Sequence, residues 1–413
     1  MTQGDPTGQA APGIFSGLKV LDFTWAAAGP IVTKQFADNG AEVVKIESRS
    51  HPDSVRLGGP FFEAKPGINR SGFFADFNSS KKSVAIDLGS DEGRDVVGRM
   101  VRWADVVADN FRPGVLDRWG LGHDRLSEIN PRAILVSSSL YGEGGPWSRL
   151  AGFGAQGAAA AGIHGLTGWP DLPPALPKGA YTDSVSPRYA MAAITAALIE
   201  RERTGLGQRI ELSQVETTVG ILAGQLLQWQ LTGRAPGRDG NRRPGRRLHA
   251  VLPCAGEDNW IAVDVRTDDE WRALCRVLVD FGGEYLADKL SAVDALARAQ
   301  EVEELVAAVT AAADRFALME RLQAAGVPSG AVLKGSDLLA DPRLRNRRHF
   351  WALEHAEMGT LDYNGPAYRF EKTPSRLTSA APLLGEHTDE VMRDVLGMDA
   401  GTIARLRANG VLQ

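Results

Sequence analysis

Between Gly17 and Ser137 the chain alternates short, nearly continuous apolar runs with longer stretches in which apolar residues recur every three or four positions. Gly17-Leu-Lys-Val-Leu-Asp-Phe23 and Ala41-Glu-Val-Val-Lys-Ile-Glu47 read as buried strands, and the segment from about Val32 to Asn39 between them has helical character, which makes a βαβ unit. Ser83-Val-Ala-Ile-Asp-Leu88 repeats the strand pattern. Ser90 then stands where a helix needs its N-cap, and Val96, Val97, Met100, Val101 and Ala104 fall on one helical face. Asp105-Val-Val-Ala108 and Ala133-Ile-Leu-Val-Ser137 complete the set of strands. Strands alternating with helices predict an α/β fold with a largely parallel sheet covered on both faces.

Further along, a long helix is expected from Ser186, with Ser186 as N-cap, Pro187 as the first helical residue and Gly205 just past the end. Asp183 then lies immediately before that helix. The stretch from Gly233 to Gly245 is rich in Gly, Pro and Arg and suits a domain boundary. After it, His249 to Val265 reads as a hairpin, followed by short amphipathic helices to about Leu339. Extended pieces follow from about Pro342, then a helix after Thr388 and another ending near Gly410. The expected division is a disordered tail over residues 1–14, a large domain over 15–232, a smaller α+β domain over 233–341 and a C-terminal segment over 342–413. No repeat of fixed period is found.

Composition narrows the field. A chain of 413 residues, 43% hydrophobic and 23% charged, has room for two packed domains. Its formal charge of -5 argues against nucleic acid, whose phosphates are held by surplus Lys and Arg. The two cysteines, Cys254 and Cys275, supply neither a disulfide framework nor a metal cluster, so both are read as reduced, packed thiols in a cytoplasmic setting. Met1 to Pro12 has no basic n-region and no apolar h-region, unlike an export signal. Ala151 to Gly168 is the nearest approach to a membrane span, but Gly, Ala, Gln156 and His164 argue against it, and no membrane partner is expected.

Candidate chemistry has to be weighed against plainer readings. Gly152-Phe-Gly-Ala-Gln-Gly157 matches the dinucleotide-binding spacing by letters, yet it follows Ser148-Arg-Leu-Ala151 rather than a strand and has no acidic ribose partner. A small-residue helix start that permits close packing is the better reading. His349 and His355, near Glu354 and Glu357, lack a metal-binding helical frame, and no metal site is predicted. No Gly-x-Ser-x-Gly elbow occurs, and Arg276 beside Cys275 is thin support for an activated thiolate. The run from Gly233 to Arg247 concentrates arginine in an acidic protein, which fits carboxylate or phosphate recognition as well as a solvated loop. Asp183 in Tyr-Thr-Asp-Ser would, on its own, be read as a turn residue.

Several blocks in one order change that reading. Gly17 to Phe23 with Ala28-Gly-Pro30 and Gly40 to Glu47, Asn78-Ser-Ser-Lys-Lys-Ser-Val-Ala-Ile-Asp-Leu88, Asp105 to Arg118, Thr204-Gly-Leu-Gly-Gln208 and Leu384-Gly-Glu-His-Thr-Asp389 together resemble the family III CoA-transferases. That group contains formyl-CoA transferase and the carnitine-type CoA-transferases and is related to α-methylacyl-CoA racemase. The resemblance implies a Rossmann-like large domain, a smaller domain, a terminal segment returning to the large one, and two chains interlocked as a dimer. It places the family's catalytic aspartate on Asp183, its CoA-contacting Asn-Phe pair on Asn110 and Phe111, the following arginine on Arg118 and an acyl-side tyrosine on Tyr141. Lys82 and Asp87 fall within a CoA-binding segment. Where formyl-CoA transferase has an early glutamine and an arginine, this chain has Ala27 and Ser48, which shifts phosphate and adenine contacts toward Arg49 or Lys82.

The resemblance also implies the chemistry: CoA passes from an acyl-CoA donor to a carboxylic acid through an aspartyl mixed anhydride and an aspartyl-CoA thioester. Leu166-Thr-Gly-Trp-Pro-Asp171 with Gly179-Ala-Tyr-Thr-Asp183 is similar to transferases that use succinyl-CoA and aromatic succinates. Backbone N–H groups of a glycine-rich loop, with Gly237 to Gly245 the nearest candidate, are expected to hold the oxyanion. The racemase relatives carry a His-Asp pair where this chain has Phe153-Gly154, which counts against proton exchange at an α-carbon. Two alternatives stay open, an acyl-CoA racemase or isomerase and a non-catalytic subunit of a heteromeric transferase.

Overall fold

The computed structural model describes residues 11–413 except Lys178 and Lys289, so residues 1–10 of the expected tail lie outside the described residues. Two compact units are present. One comprises the chain through Ile163, Pro177–Ala235 and Pro342–Gln413; the other comprises His164–Leu176 and Pro236–Asp341.

The larger unit is built on six strands, β1 (Lys19–Asp22), β2 (Glu42–Glu47), β3 (Lys82–Ala85), β4 (Val106–Asp109), β5 (Ile134–Ser139) and β6 (Arg209–Ser213). All pair in parallel in the order β3-β2-β1-β4-β5-β6, with Val20 of β1 opposite Val43 on one side and Val106 on the other. This is the Rossmann-like sheet expected from the sequence. Alternate strand residues serve opposite faces, which is why the strands read as continuous apolar runs. Leu21, Val44, Val84 and Val107 pack with Val97, Met100 and Val101 of the helix Asp91–Trp103. Val20, Val43, Val106 and Ile134 face α1 (Ala28–Ala37) through Val32 and Phe36, and the long helix Tyr181–Thr204 through Ala190 and Ile194. Each such side chain taken fully out of water contributes about 1.5–3 kcal/mol. Ser90 caps the helix Asp91–Trp103 as expected, its hydroxyl accepting the Gly93 N–H at 3.0 Å.

The C-terminal residues complete the β3 edge of this unit. Asp87 N donates to the Val411 carbonyl (2.9 Å), Gln413 N to the Ala85 carbonyl (3.0 Å), and Ala85 N to Thr388 Oγ1 (3.1 Å). The helices Thr388–Asp394 and Ala400–Ala408 add Val391, Met392 and Leu406 to the core beneath.

The smaller unit is α+β. Strands β7 (Leu248–Pro253), β8 (Trp260–Val265) and β9 (Ser329–Ala331) form an antiparallel sheet, on which the helix Asp268–Asp280 packs Trp271, Leu274 and Leu278. Thr267 and Glu270 close that helix with a reciprocal capping box. Both cysteines are free and buried here, and burial pushes the Cys275 thiol up to about 12. No helix among the described residues is long and apolar enough to cross a membrane.

One expectation is corrected. The long helix begins at Tyr181 rather than after Ser186, and Pro187 sits inside it instead of at its first position. Proline has no N–H to return to the Asp183 carbonyl, a loss the helix tolerates near its start, where packing of Thr182, Ser186 and Ala190 holds it. Asp183 therefore lies in the first helical turn, not before it. The far end is as expected: Gly205 takes the left-handed conformation (φ 76°) that terminates helices.

Candidate active site

In a sheet of this order, the chain leaves β1 and β4 in opposite directions, and a crevice opens at their carboxyl ends. Phe23–Ala27 leads from β1 into α1, and Asn110–Arg112 leaves β4; between them lies a cavity of about 410 Å³. Its walls include Trp25 to Ala28, Asn110, Phe111, Ser139 at the end of β5, Gly154, Gln214 just after β6, and Asp183.

Asp183 is half-buried, and loss of water pushes its carboxyl up from 3.8 to about 6, opposed by the neighbouring Thr182 hydroxyl. The position in the first helical turn favours a negative charge, but less strongly than burial disfavours it. Close packing fixes it there. A Cβ on Gly154 would lie 2.5 Å from Ala180 Cβ and 2.7 Å from Asp183 Cγ, and one on Gly157 would lie 2.7 Å from Leu140. The helix Gly154–Ala160 can therefore lie against the long helix only with glycine at these points, which is the packing role read from the Gly152–Gly157 spacing. The Gln156 side chain accepts the Phe153 N–H at the helix start (3.0 Å).

The loop after β1 is held by side chains. Asn110 accepts the Trp25 N–H through Oδ1 (2.7 Å) and donates through Nδ2 to the Trp25 carbonyl (2.8 Å), imitating a strand neighbour. Asp53, fully buried, accepts the Ala26 N–H at 2.9 Å. Behind the loop lies a buried ionic network. Lys81 Nζ is 3.1 Å from Asp22 and Lys45 Nζ is 3.1 Å from Asp53; Lys45 also donates to the Thr24 carbonyl, and Arg56 grips both oxygens of Glu47 at 2.8 Å. Burial, only partly countered by Asp22, lowers the Lys81 ammonium to about 8. Past the loop, Ala27 stands at the N-cap of α1 and makes no side-chain capping hydrogen bond; Ala27 and Ala28 line the cavity, while Pro30 in the same first turn has no N–H to offer.

Phe111 divides this cavity from a second of about 300 Å³, walled by Phe23, Ile46, Ile86, Trp119, Ser48 and Asp87 among others. Its ring stands edge-to-face with Trp25 (5.4 Å) and with Trp119 (5.6 Å), giving a broad apolar surface of the kind that takes a planar ring or a flexible apolar chain. Asp87 Oδ1 is partly engaged by the Gly89 N–H at 2.9 Å.

The structure thus brings Asp183, Asn110 and Phe111 to one cavity, with Ala27 on its wall, and Phe111, Asp87 and Ser48 to the other. Three expected residues stand apart from both among the described walls. Arg118 is exposed at the end of the short helix Val115–Arg118. Tyr141 is half-buried edge-on to Trp147 (5.7 Å), one residue beyond the wall residue Leu140. Lys82 sits at the amino end of β3, opposite the framing strand ends, its ammonium between Glu42 (2.9 Å) and Glu390 (3.0 Å). Gly237–Gly245 belongs to the smaller unit. Trp25, Asp53 and Gln214 were not anticipated; the signal for Trp25 and Gln214 is their place just after parallel strands. Gln214 is buried, and its Oε1 has no hydrogen-bond partner among the described residues. No cluster of His, Cys, Asp and Glu suited to a metal occurs among the described residues.

Known proteins bear directly on this arrangement. A probable CoA-transferase of Mycobacterium tuberculosis is 34% identical over 97% of this chain, which spans 50% of that relative's length. A succinyl-CoA–D-citramalate CoA-transferase of Chloroflexus aurantiacus is 30% identical over 98% of this chain and 99% of its own. Among solved structures, a CAIB/BAIF family protein from Brucella suis superposes with a TM-score of 0.85 at 30% identity, covering 93% of this chain and 100% of that one. The sequence pattern of CoA-transferase family III matches residues 15–388, so this chain, with an aspartate set in the switch-point crevice of its parallel sheet, belongs to CoA-transferase family III and is an enzyme that acts on CoA thioesters.

Proposed function

We propose that the chain moves CoA from succinyl-CoA to a second carboxylic acid, dicarboxylic or aromatic, with Asp183 as the group that is transiently esterified. The observation that carries this reading is the setting of Asp183, half-buried and raised to about 6, in one cavity with the uncapped start of α1. At pH 7 such a carboxylate is ionised about ten to one, yet it is poorly hydrated and so a better nucleophile than a solvated one.

In the first step an Asp183 carboxylate oxygen adds to the thioester carbonyl carbon. The C–S bond breaks, CoA leaves as thiolate, and a mixed anhydride joins Asp183 to the donor acyl group. The thiolate then attacks the Asp183 carbonyl carbon, expelling the donor acid and leaving an aspartyl-CoA thioester. The acceptor carboxylate repeats the sequence in reverse and departs as its CoA ester, restoring Asp183. Each addition develops an oxyanion, for which the Ala28 N–H at the start of α1 supplies a fixed donor and a favourable dipole end. Phe111, Trp25 and Trp119 offer the apolar surface for the CoA moiety. The Chloroflexus relative's name, pairing succinyl-CoA with a dicarboxylic acid, supports the choice of donor and acceptor class. The absence of an acid or base at Phe153-Gly154 supports transfer over racemisation.

The working assembly is proposed to be a dimer, of two such chains or with a related subunit. The exposed Leu226, Leu227, Trp229 and Leu231 on the helix Ala223–Thr232 support it. The test of function is incubation with succinyl-CoA and a panel of acids, then hydroxylamine trapping and peptide mapping. A modified Asp183 with a new acyl-CoA is expected, and Asp183→Ala should abolish transfer while CoA still binds. Turnover by that variant removes Asp183 from the mechanism.

A further inference from the structure

Ala26 stands in the left-handed conformation, at φ 61°, which side chains other than glycine rarely adopt. Its neighbours explain how it is kept there. Thr24 N donates to Asp22 Oδ1 (2.8 Å), the Thr24 carbonyl accepts from Lys45, both polar groups of the Trp25 backbone are taken by Asn110, and Ala26 N donates to Asp53 Oδ1 (2.9 Å). Asp53 is itself immobilised. Its Oδ1 also accepts the Val55 N–H (3.2 Å), and its Oδ2 faces the buried Lys45 ammonium at 3.1 Å. The left-handed residue is immediately followed by Ala27 and the start of α1, and both Ala27 and Ala28 line the cavity that holds Asp183, so the Ala26 dihedral sets the direction of the Ala28 N–H there.

We propose that Asp53 is a positioning residue for the transfer reaction: its carboxylate, fixed by Lys45, holds Ala26 left-handed and thereby aims the start of α1 at the reacting carbonyl. This rests on the reading of Asp183 as nucleophile. A carboxylate is the group this position requires, because Oδ1 accepts the Ala26 and Val55 N–H groups while Oδ2, without a hydrogen bond among the described residues, pairs its charge with Lys45. Asparagine has the same shape but one acceptor oxygen, so it either turns an N–H₂ toward the Lys45 ammonium or turns it toward the Ala26 N–H, and one contact is lost either way.

The experiment measures the single-turnover rate of Asp183 adduct formation from succinyl-CoA, alongside kcat and KM, in Asp53→Asn, Asp53→Asn/Ala26→Gly and Ala26→Val. Asp53→Asn is expected to lower the adduct rate and kcat by roughly 10- to 100-fold with KM for acyl-CoA little changed, as misplacement of a transition-state donor does. Glycine adopts positive φ freely, so Ala26→Gly should return several-fold of the lost rate to the Asp53→Asn protein. Ala26→Val, which leaves Asp53 and Lys45 intact but resists positive φ, should reproduce the loss and decides the matter if Asp53→Asn does not fold. Wild-type adduct formation in Asp53→Asn, or in a folded Ala26→Val protein, overturns the proposal. A wild-type protein that forms no Asp183 adduct refutes the nucleophile assignment instead, and the two failures are told apart by that control.

Discussion

Replacing Asp183 by asparagine keeps the side chain's shape and removes its charge, and the structure says what that charge costs. Burial raises this carboxyl from 3.8 to about 6, which corresponds to about 3 kcal/mol that the folded protein gives up by ionising the group. The cost depends on pH in a defined way. Below about pH 3 the carboxyl is protonated both folded and unfolded, so nothing is lost. As pH rises from there the unfolded chain ionises first, and stability falls until the folded group also ionises, near pH 6; above that the loss is constant. Asp183→Asn should therefore match the wild type at pH 3 and be more stable by about 2–3 kcal/mol at pH 7.5, while catalysing no transfer. Because the chain has two units, the comparison is best made by hydrogen exchange of peptides from β5 and from the helix Tyr181–Thr204, which report on the unit containing Asp183. Equal stability at pH 7.5, or an advantage of the same size at pH 3, would refute the account of Asp183 as a carboxylate held out of water.

Gly154→Ala should destabilise the protein by about 1–3 kcal/mol and lower kcat by about 100-fold or more, since the new methyl overlaps Ala180 and the Asp183 carboxyl; thermal denaturation and steady-state kinetics check both, and wild-type turnover would show that this packing does not set Asp183. Lys82→Ala should leave CoA affinity unchanged by calorimetry and cost at most about 1 kcal/mol, because its partly exposed ammonium is engaged by Glu42 and Glu390. A tenfold weaker affinity would return Lys82 to the CoA phosphates.

The parallel sheet was legible because its strands are short apolar runs between recognisable helix starts, and Ser90 and Gly205 marked their helix ends by ordinary capping chemistry. The start of the long helix was not legible. Gly179-Ala180 offers no capping side chain, whereas Ser186-Pro187 looks like an N-terminus and is overridden by packing against the helix Gly154–Ala160. The charged residues inside the strands were harder still. Asp22, Lys45 and Glu47 read locally as polar interruptions, and only the folded chain shows that Lys81, Asp53 and Arg56 meet them in the interior. The adjacent lysines make the point sharply. Lys81 turns inward to Asp22 while Lys82 turns outward to Glu42, and nothing in Lys-Lys says which is which. Asp183 itself stood out through a pattern shared with a family, not through its neighbours in sequence.

The way the C-terminal residues finish the β3 edge also governs the order in which the protein can assemble as it is made. Ala85 and its partner Thr388 are 303 positions apart, and the bridge from Ile86 to Leu412 spans more still. While the ribosome is extending the chain, the sheet has to wait with one flank uncovered, its apolar surface beneath Val84 and Ile86 available to chaperones or to other nascent chains. The smaller unit faces no such delay, since all of its residues have been synthesised once Asp341 is added. A fragment stopping near that point would carry a finished small unit tethered to an unfinished sheet, the kind of species that aggregates.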